Sequence, residues 1–200
     1  MRLYILFLAL TATAIAAPAR DYKSLLAEAV PLGGFENFME KYLGECGANP
    51  DQYECRANAS AYRNKMNGQL FQMLVGEESA NMISAGPYDE ATGEALVYLT
   101  PFFPSGASAL TQEIPRKIDS TGNPIFTQLE IPTHPILASS ARWPRLFGGR
   151  ELRLQVIFRP QSSWVMKQKG GKERKGVKAK IEGIAVQMAR TGETIGTWTP

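Results

Sequence analysis

Between residues 20 and 76 apolar side chains recur every three or four positions, and from about residue 80 they recur at every second position. That change of period predicts a helical section followed by strands. Tyr22, Leu25, Leu26, Ala29 and Val30 make one helical face, with Asp21 placed to cap its start and Pro31, Gly33 and Gly34 to end it. Phe35, Phe38, Met39, Tyr42 and Leu43 make a second, closed by Gly44. A third opens at Asn49-Pro50-Asp51, which supplies a capping side chain, a proline at the first helical position and an acid in the first turn. Its face runs through Tyr53, Ala57, Ala61, Tyr62, Met66, Leu70 and Met73, weakens at Gly68 and ends by Gly76.

The strand signals are alternations. Leu152, Leu154, Val156 and Phe158 alternate with Arg153, Gln155 and Arg159; Ile125, Leu129 and Ile131 alternate with Gln128 and Glu130; Val97 and Leu99 continue the theme. Turns carry a shared Thr-Gly step at Thr92-Gly93, Thr121-Gly122 and Thr191-Gly192. Pro101, Pro104, Pro115, Pro132, Pro135, Pro144 and Pro160 sit where strands finish or edges need blunting. The expected fold is α+β: short N-terminal helices over residues 20–76, then an antiparallel β-sandwich or barrel-like domain over residues 77–200.

The first residues change the cellular picture. A positive start at Arg2, an apolar run from Leu3 to Leu10 and small residues beyond predict a secretory signal over residues 1–16, with cleavage as late as residue 19. The run falls short of the roughly 20 residues that span a bilayer, so no transmembrane span is expected in the mature chain. In a periplasmic or secreted bacterial protein, Cys46 and Cys55, the two cysteines, are expected to form one disulfide at the corner between the second and third helices.

Little catalytic chemistry is encoded. His134 is the single histidine, so zinc sites of the histidine and cysteine type are not expected. Neither a nucleophile elbow nor a phosphate-binding glycine loop occurs, and no cofactor is expected. Glu77, Glu78, Asp89, Glu90 and Glu94 lie close in sequence and leave open a carboxylate-dependent hydrolase acting on an envelope glycan. Asp89, Glu90 and Glu94 lack the alternation of a calcium loop and read as a solvated hairpin tip.

Charge is unevenly spread. Residues 142–180 hold twelve lysines and arginines against two acids, whereas residues 20–141 hold eight against fifteen, a polarity that calls for an anionic partner or for mutual attraction of the two parts. The stretch KQKGGKERKGVKAK, residues 167–180, reads as the tip of a β-hairpin, with a β-bulge expected near Gly183 where apolar parity shifts. Lys167, Lys169, Lys172, Arg174, Lys175, Lys178 and Lys180 are the candidate anion-binding residues. No aromatic residue interrupts the run, so nucleic acid is not the expected partner. Anionic envelope lipids or polysaccharide are, and the expected role is non-catalytic binding or assembly at the cell envelope. A structural subunit that pairs through its C-terminal strand, ETIGTWTP, is the remaining alternative.

Overall fold

The computed structural model describes residues 20–45, 52–76, 82–115, 125–137, 139–167 and 173–200. The expected export signal, the Cys46 to Cys55 bridge and the turn at Thr121-Gly122 lie outside the described residues.

Helix α1 spans Tyr22–Glu28 and α2 spans Phe35–Leu43, as their spacing requires. The Asp21 carboxylate accepts from the Ser24 amide at 2.7 Å, and this bond holds its carboxyl below the ordinary aspartate value. Gly44 closes α2 in the left-handed conformation, its amide donating to the Glu40 carbonyl. Helix α3, Gln52–Met66, is shorter than its apolar face predicts. Gly68 turns the chain at φ 79°, and Phe71–Val75 is strand β2 rather than a last helical turn. Phe71, Met73 and Val75 are buried in alternation with Gln72 and Leu74, a period of two that also fits loosely on a helix.

The strands are β1 (Val30–Pro31), β2, β3 (Ile83–Tyr88), β4 (Ala95–Leu99), β5 (Phe102–Ser105), β6 (Ser108–Thr111), β7 (Leu129–Thr133), β8 (Leu152–Lys167), β9 (Glu173–Met188) and β10 (Thr194–Trp198). A short helix α4, Trp143–Gly148, precedes β8. All ten strands belong to one sheet in the order β1-β2-β8-β9-β10-β7-β4-β3, with the β5–β6 hairpin joined through β6 to β9. Pairing is antiparallel except for β1 with β2 and β6 with β9. The path does not close, so the fold is α+β with one open, mostly antiparallel sheet.

Each strand at a margin carries a proline: Pro31 in β1, Pro87 in β3 and Pro104 in β5. A proline cannot donate to an incoming strand, so these margins resist further pairing. The Trp143 indole of α4 also donates to the Gly86 carbonyl of β3 at 3.1 Å. The C-terminal strand, which the structural-subunit alternative needs as a free edge, lies between β9 and β7 and pairs with both.

One face of the sheet packs its main core around α2 and α4, with Phe38, Met39, Tyr42, Trp143 and Leu146 meeting buried residues of β2 to β10. Helix α1 lies over the other face, where Tyr22, Leu25 and Ala29 meet Leu70, Ile157 and Ala185. Strands β8 and β9 are therefore covered on both sides near their middles.

Tyr22 gives the first test. Its hydroxyl is buried with no hydrogen-bond partner among the described residues, and burial pushes the phenol up to about 12 from an ordinary 10.0. Below pH 10 both folded and unfolded chains keep the proton, so stability is at its full value. As pH rises from there the unfolded chain releases it first, and stability falls until the folded phenol titrates near 12. Tyr22→Phe is expected to stabilise the fold by about 1 kcal/mol at neutral pH, by removing an unpaired polar group. It should also flatten the alkaline limb. Urea titrations of both proteins at pH 7 and pH 11 check this, and a variant weaker at both pH values would refute it.

Candidate functional site

The basic run does end a hairpin. Strands β8 and β9 pair antiparallel out to Lys167 opposite Glu173, and Lys169 and Lys172 lie between them, outside the described residues. Two register shifts shape the arm. One leaves Glu182 unpaired opposite the step from Ile157 to Phe158, next to Gly183 where the parity change places it; the other leaves Gln161 unpaired between Pro160 and Ser162.

These bulges decide which way the cations face. Val177, Ala179 and Ile181 point into the main core, so Arg174, Gly176, Lys178 and Lys180 occupy the outward face of β9. Beyond Gln161, Ser162, Trp164 and Met166 share that outward face through their register with Lys178, Gly176 and Arg174. Lys167 and Lys175 fall on the opposite face. The seven candidates thus divide: Arg174, Lys178 and Lys180 line up outward, Lys167 and Lys175 do not join them, and two are not described.

Partners differ along the row. Lys180 Nζ lies 2.9 Å from Glu182, and Arg159, its register partner on β8, reaches the same carboxylate at 3.1 Å. Arg159 also donates to the Gly68 carbonyl at 2.6 Å. Lys175 is held by Glu45 of the segment after α2 at 2.9 Å, one instance of attraction between the acidic and basic parts of the chain. Arg174 and Lys178 have no ion pair among the described residues.

A cleft opens at each end of the row. The one beside Arg174, about 340 Å3, is lined by Trp164, Phe102, Pro104 and the Gly106–Ala109 turn. Trp164 lies across Gly176, where any Cβ would overlap both the indole and the Ala109 carbonyl, and donates to the Thr111 hydroxyl at 3.0 Å. The second cleft, about 360 Å3, lies beside Lys180 and is lined by Arg159, Glu182, Arg20 and Leu25. Arg159, Arg20 and Trp164 were not among the expected site residues. Strand alternation flags Arg159, but the bulge at Gln161 and the parallel pairing of β6 with β9 leave no local signal.

The described members of the acidic cluster each have a partner, within the turn or just across from it. The Asp89 carboxylate accepts from the Ala91 amide at 2.8 Å and is held below its ordinary value by that bond and by Thr92. Glu90 accepts from the Ser140 hydroxyl, and Glu94 lies 3.4 Å from His134 with both side chains about two-thirds exposed. The turn repeats at β9–β10. Asp89 and Met188 each donate to the carbonyl of a glutamate five residues on, at 2.8 Å, and Thr92 and Thr191 each accept from that glutamate's amide at 3.2 Å. Glu77 and Glu78 lie outside the described residues. Among the described residues no group of three or more histidines, cysteines and acids could hold a metal ion, and no helix is long and apolar enough to cross a membrane.

Fold and site together define an α+β protein whose longest β-ribbon carries a row of cations on the face turned away from its main core. The chain belongs to a family of unknown function, DUF6066, whose pattern matches residues 1–200. No curated protein and no solved structure matches it.

Proposed function

We propose that this chain is an exported, non-catalytic protein that binds an anionic component of the cell envelope, lipid or polysaccharide, through the outward face of its β8–β9 arm. The observation that carries the reading is the row of Arg174, Lys178 and Lys180, joined by Arg159, on one face of one ribbon. Cations held at alternate strand positions cannot fold back on themselves, so their field adds outward. The carboxylate-hydrolase alternative has less support, because Asp89 is bonded within its own turn and Glu90 and Glu94 lie against Ser140 and His134 at the exposed surface. Edge pairing has less too, given a proline in each marginal strand. A barrel-like curl of the sheet is supported by the main core, to which β2, near one end of the path, and β3, at the other, both contribute.

Vesicles of phosphatidylcholine with a quarter phosphatidylglycerol test the reading in co-sedimentation. Retention is expected at low salt, to fade near 0.5 M salt as screening shortens to a few Å, and to weaken at least about tenfold in Arg174→Glu/Lys178→Glu. Retention indifferent to both salt and the double variant would leave the arm a solubilising device.

A further inference from the structure

We infer that the ligand of this face is an extended, negatively charged polysaccharide that lies along β9 and enters a cleft at each end of the cation row. This deepens the binding role proposed above and rests on it. Arg174 and Lys180 are six residues apart on one strand, so the row is about 20 Å long. A chain laid along it passes Lys178 and arrives at the Lys180–Arg159 register pair.

Charge at either end alone is modest. At the tip cleft the Glu173 carboxylate stands beside Arg174 and Lys175, and Lys175 is already paired with Glu45. At the base cleft Glu182 offsets one of the two charges of Arg159 and Lys180, and Arg20 is paired with Glu28. A compact anion in one cleft meets little net charge, whereas a polyanion spanning both adds the contributions of the whole row through a single tether.

The chemistry of the face favours sugar over the other polyanions. Trp164 is only 4% exposed with its indole N–H used, and Phe102 at the tip cleft already lies against Phe126, so the face carries no row of open rings for successive bases. Val165, the most exposed apolar side chain of the arm, lies on the opposite face in register with Lys175, and on the cation face Trp164 is buried and Met166 beside Arg174 is only partly exposed, which is little apolar surface to enter a lipid. The tip cleft presents the Gly106–Ala109 backbone, whose polar groups suit hydroxyls.

Oligogalacturonates of increasing length, titrated calorimetrically against the full chain at low salt, test the inference. Affinity is expected to climb with length until an oligomer spans both clefts and then to level off. Arg174→Gln and Lys180→Gln should each weaken a spanning oligomer about fivefold, and their effects should multiply in the double variant. A short oligomer should respond to one of the two and not to both. Galacturonic acid or inorganic phosphate binding as tightly as the long oligomer would overturn the inference, as would tighter binding of an oligothymidylate of equal charge. Vesicle binding with no oligomer bound at any length would remove the polysaccharide and leave the envelope role standing. Failure with vesicles and oligomers alike would remove both.

Discussion

Phe38→Ala is expected to lower the stability of the fold by about 3–5 kcal/mol, the cost of truncating a fully enclosed aromatic ring. Phe38 is 2% exposed, and its ring lies 5.4 Å from Tyr42, 6.2 Å from Phe71, 6.0 Å from Phe158 and 6.3 Å from Tyr62. It is the point where α2, α3, β2 and β8 meet. Removing the ring forfeits its transfer from water and also leaves a void that four elements would have to shift to fill. One of those neighbours, Tyr42, is anchored at both its hydroxyl and its backbone. The Tyr42 hydroxyl bonds to Asn67, and Arg63 donates to the Tyr42 carbonyl at 3.0 Å, so the site cannot easily collapse. A cost near the top of the range is therefore expected. Urea unfolding reads it as a lowered midpoint at unchanged slope. Since whole domains are stable by only about 5–15 kcal/mol, the alanine variant could lie near its unfolding threshold. Phe38→Leu, which keeps most of the volume, should then cost roughly a third as much. If neither variant moved the midpoint by more than a few tenths of a kcal/mol, the central position given to α2 would be wrong.

How far such features could be read in advance depends on how local their causes are. The caps of α1 and α2 were legible because Asp21 and Gly44 act within one helical turn. The twin turns at Gly93 and Gly192 were legible for the same reason, since each is closed by bonds within six residues. The hairpin arm was legible because its two strands adjoin in sequence and their parities agree. The end of α3 was not, because Leu70 and Met73 satisfy either period, and only the pairing of β2 with β8 decides between them. The place of β10 was also hidden. Nothing within ETIGTWTP says whether one or two strands will flank it; that depends on β7, about 60 residues earlier, arriving on its far side.

The candidate site shows the same division. Seven cations were visible in the sequence, but a one-residue bulge at Gln161 and the inward parity of Val177, Ala179 and Ile181 sort the five described ones onto two faces. The aromatic neighbour missing from the run comes from Trp164 across the ribbon, seated where the sequence provides Gly176 and where β6 arrives from a distant hairpin. Composition therefore indicated where positive charge concentrates, while register determined which of the cations share a face.

The same dependence on register makes Gly196 a sensitive position in the sheet. Within the hydrogen-bonded path, β10 alone links the β1-β2-β8-β9 side to the β7-β4-β3 side. Its contact with β7 is brief: Gly196 registers with Thr133, and the His134 amide donates to the Ile195 carbonyl at 2.6 Å. A Cβ at Gly196 would overlap the Pro132 carbonyl oxygen and come within 2.5 Å of Thr133 Cγ2 and 2.9 Å of its Cα. Two of those three atoms belong to backbone, and Thr133 is fully buried with its hydroxyl bonded to the Ala95 carbonyl at 3.0 Å, so the neighbour cannot simply rotate away. Because the φ of Gly196 is not in the left-handed region, the penalty is one of space and not of backbone strain. Gly196→Ala is expected to cost about 3 kcal/mol, at the upper end for overpacking. Its distribution matters more than its size. Hydrogen exchange should speed up in β7, β4 and β3 while β8 and β9 keep their protection, since the arm's pairing does not involve Gly196. Gly183→Ala is the control: its nearest neighbour is the Tyr22 ring at 3.1 Å, a side chain that can give way, and it should cost less and spare β7. Protection lost evenly over all strands, or a Gly196→Ala variant as stable as the parent, would mean that the two sides of the sheet are held together by something other than this one close approach.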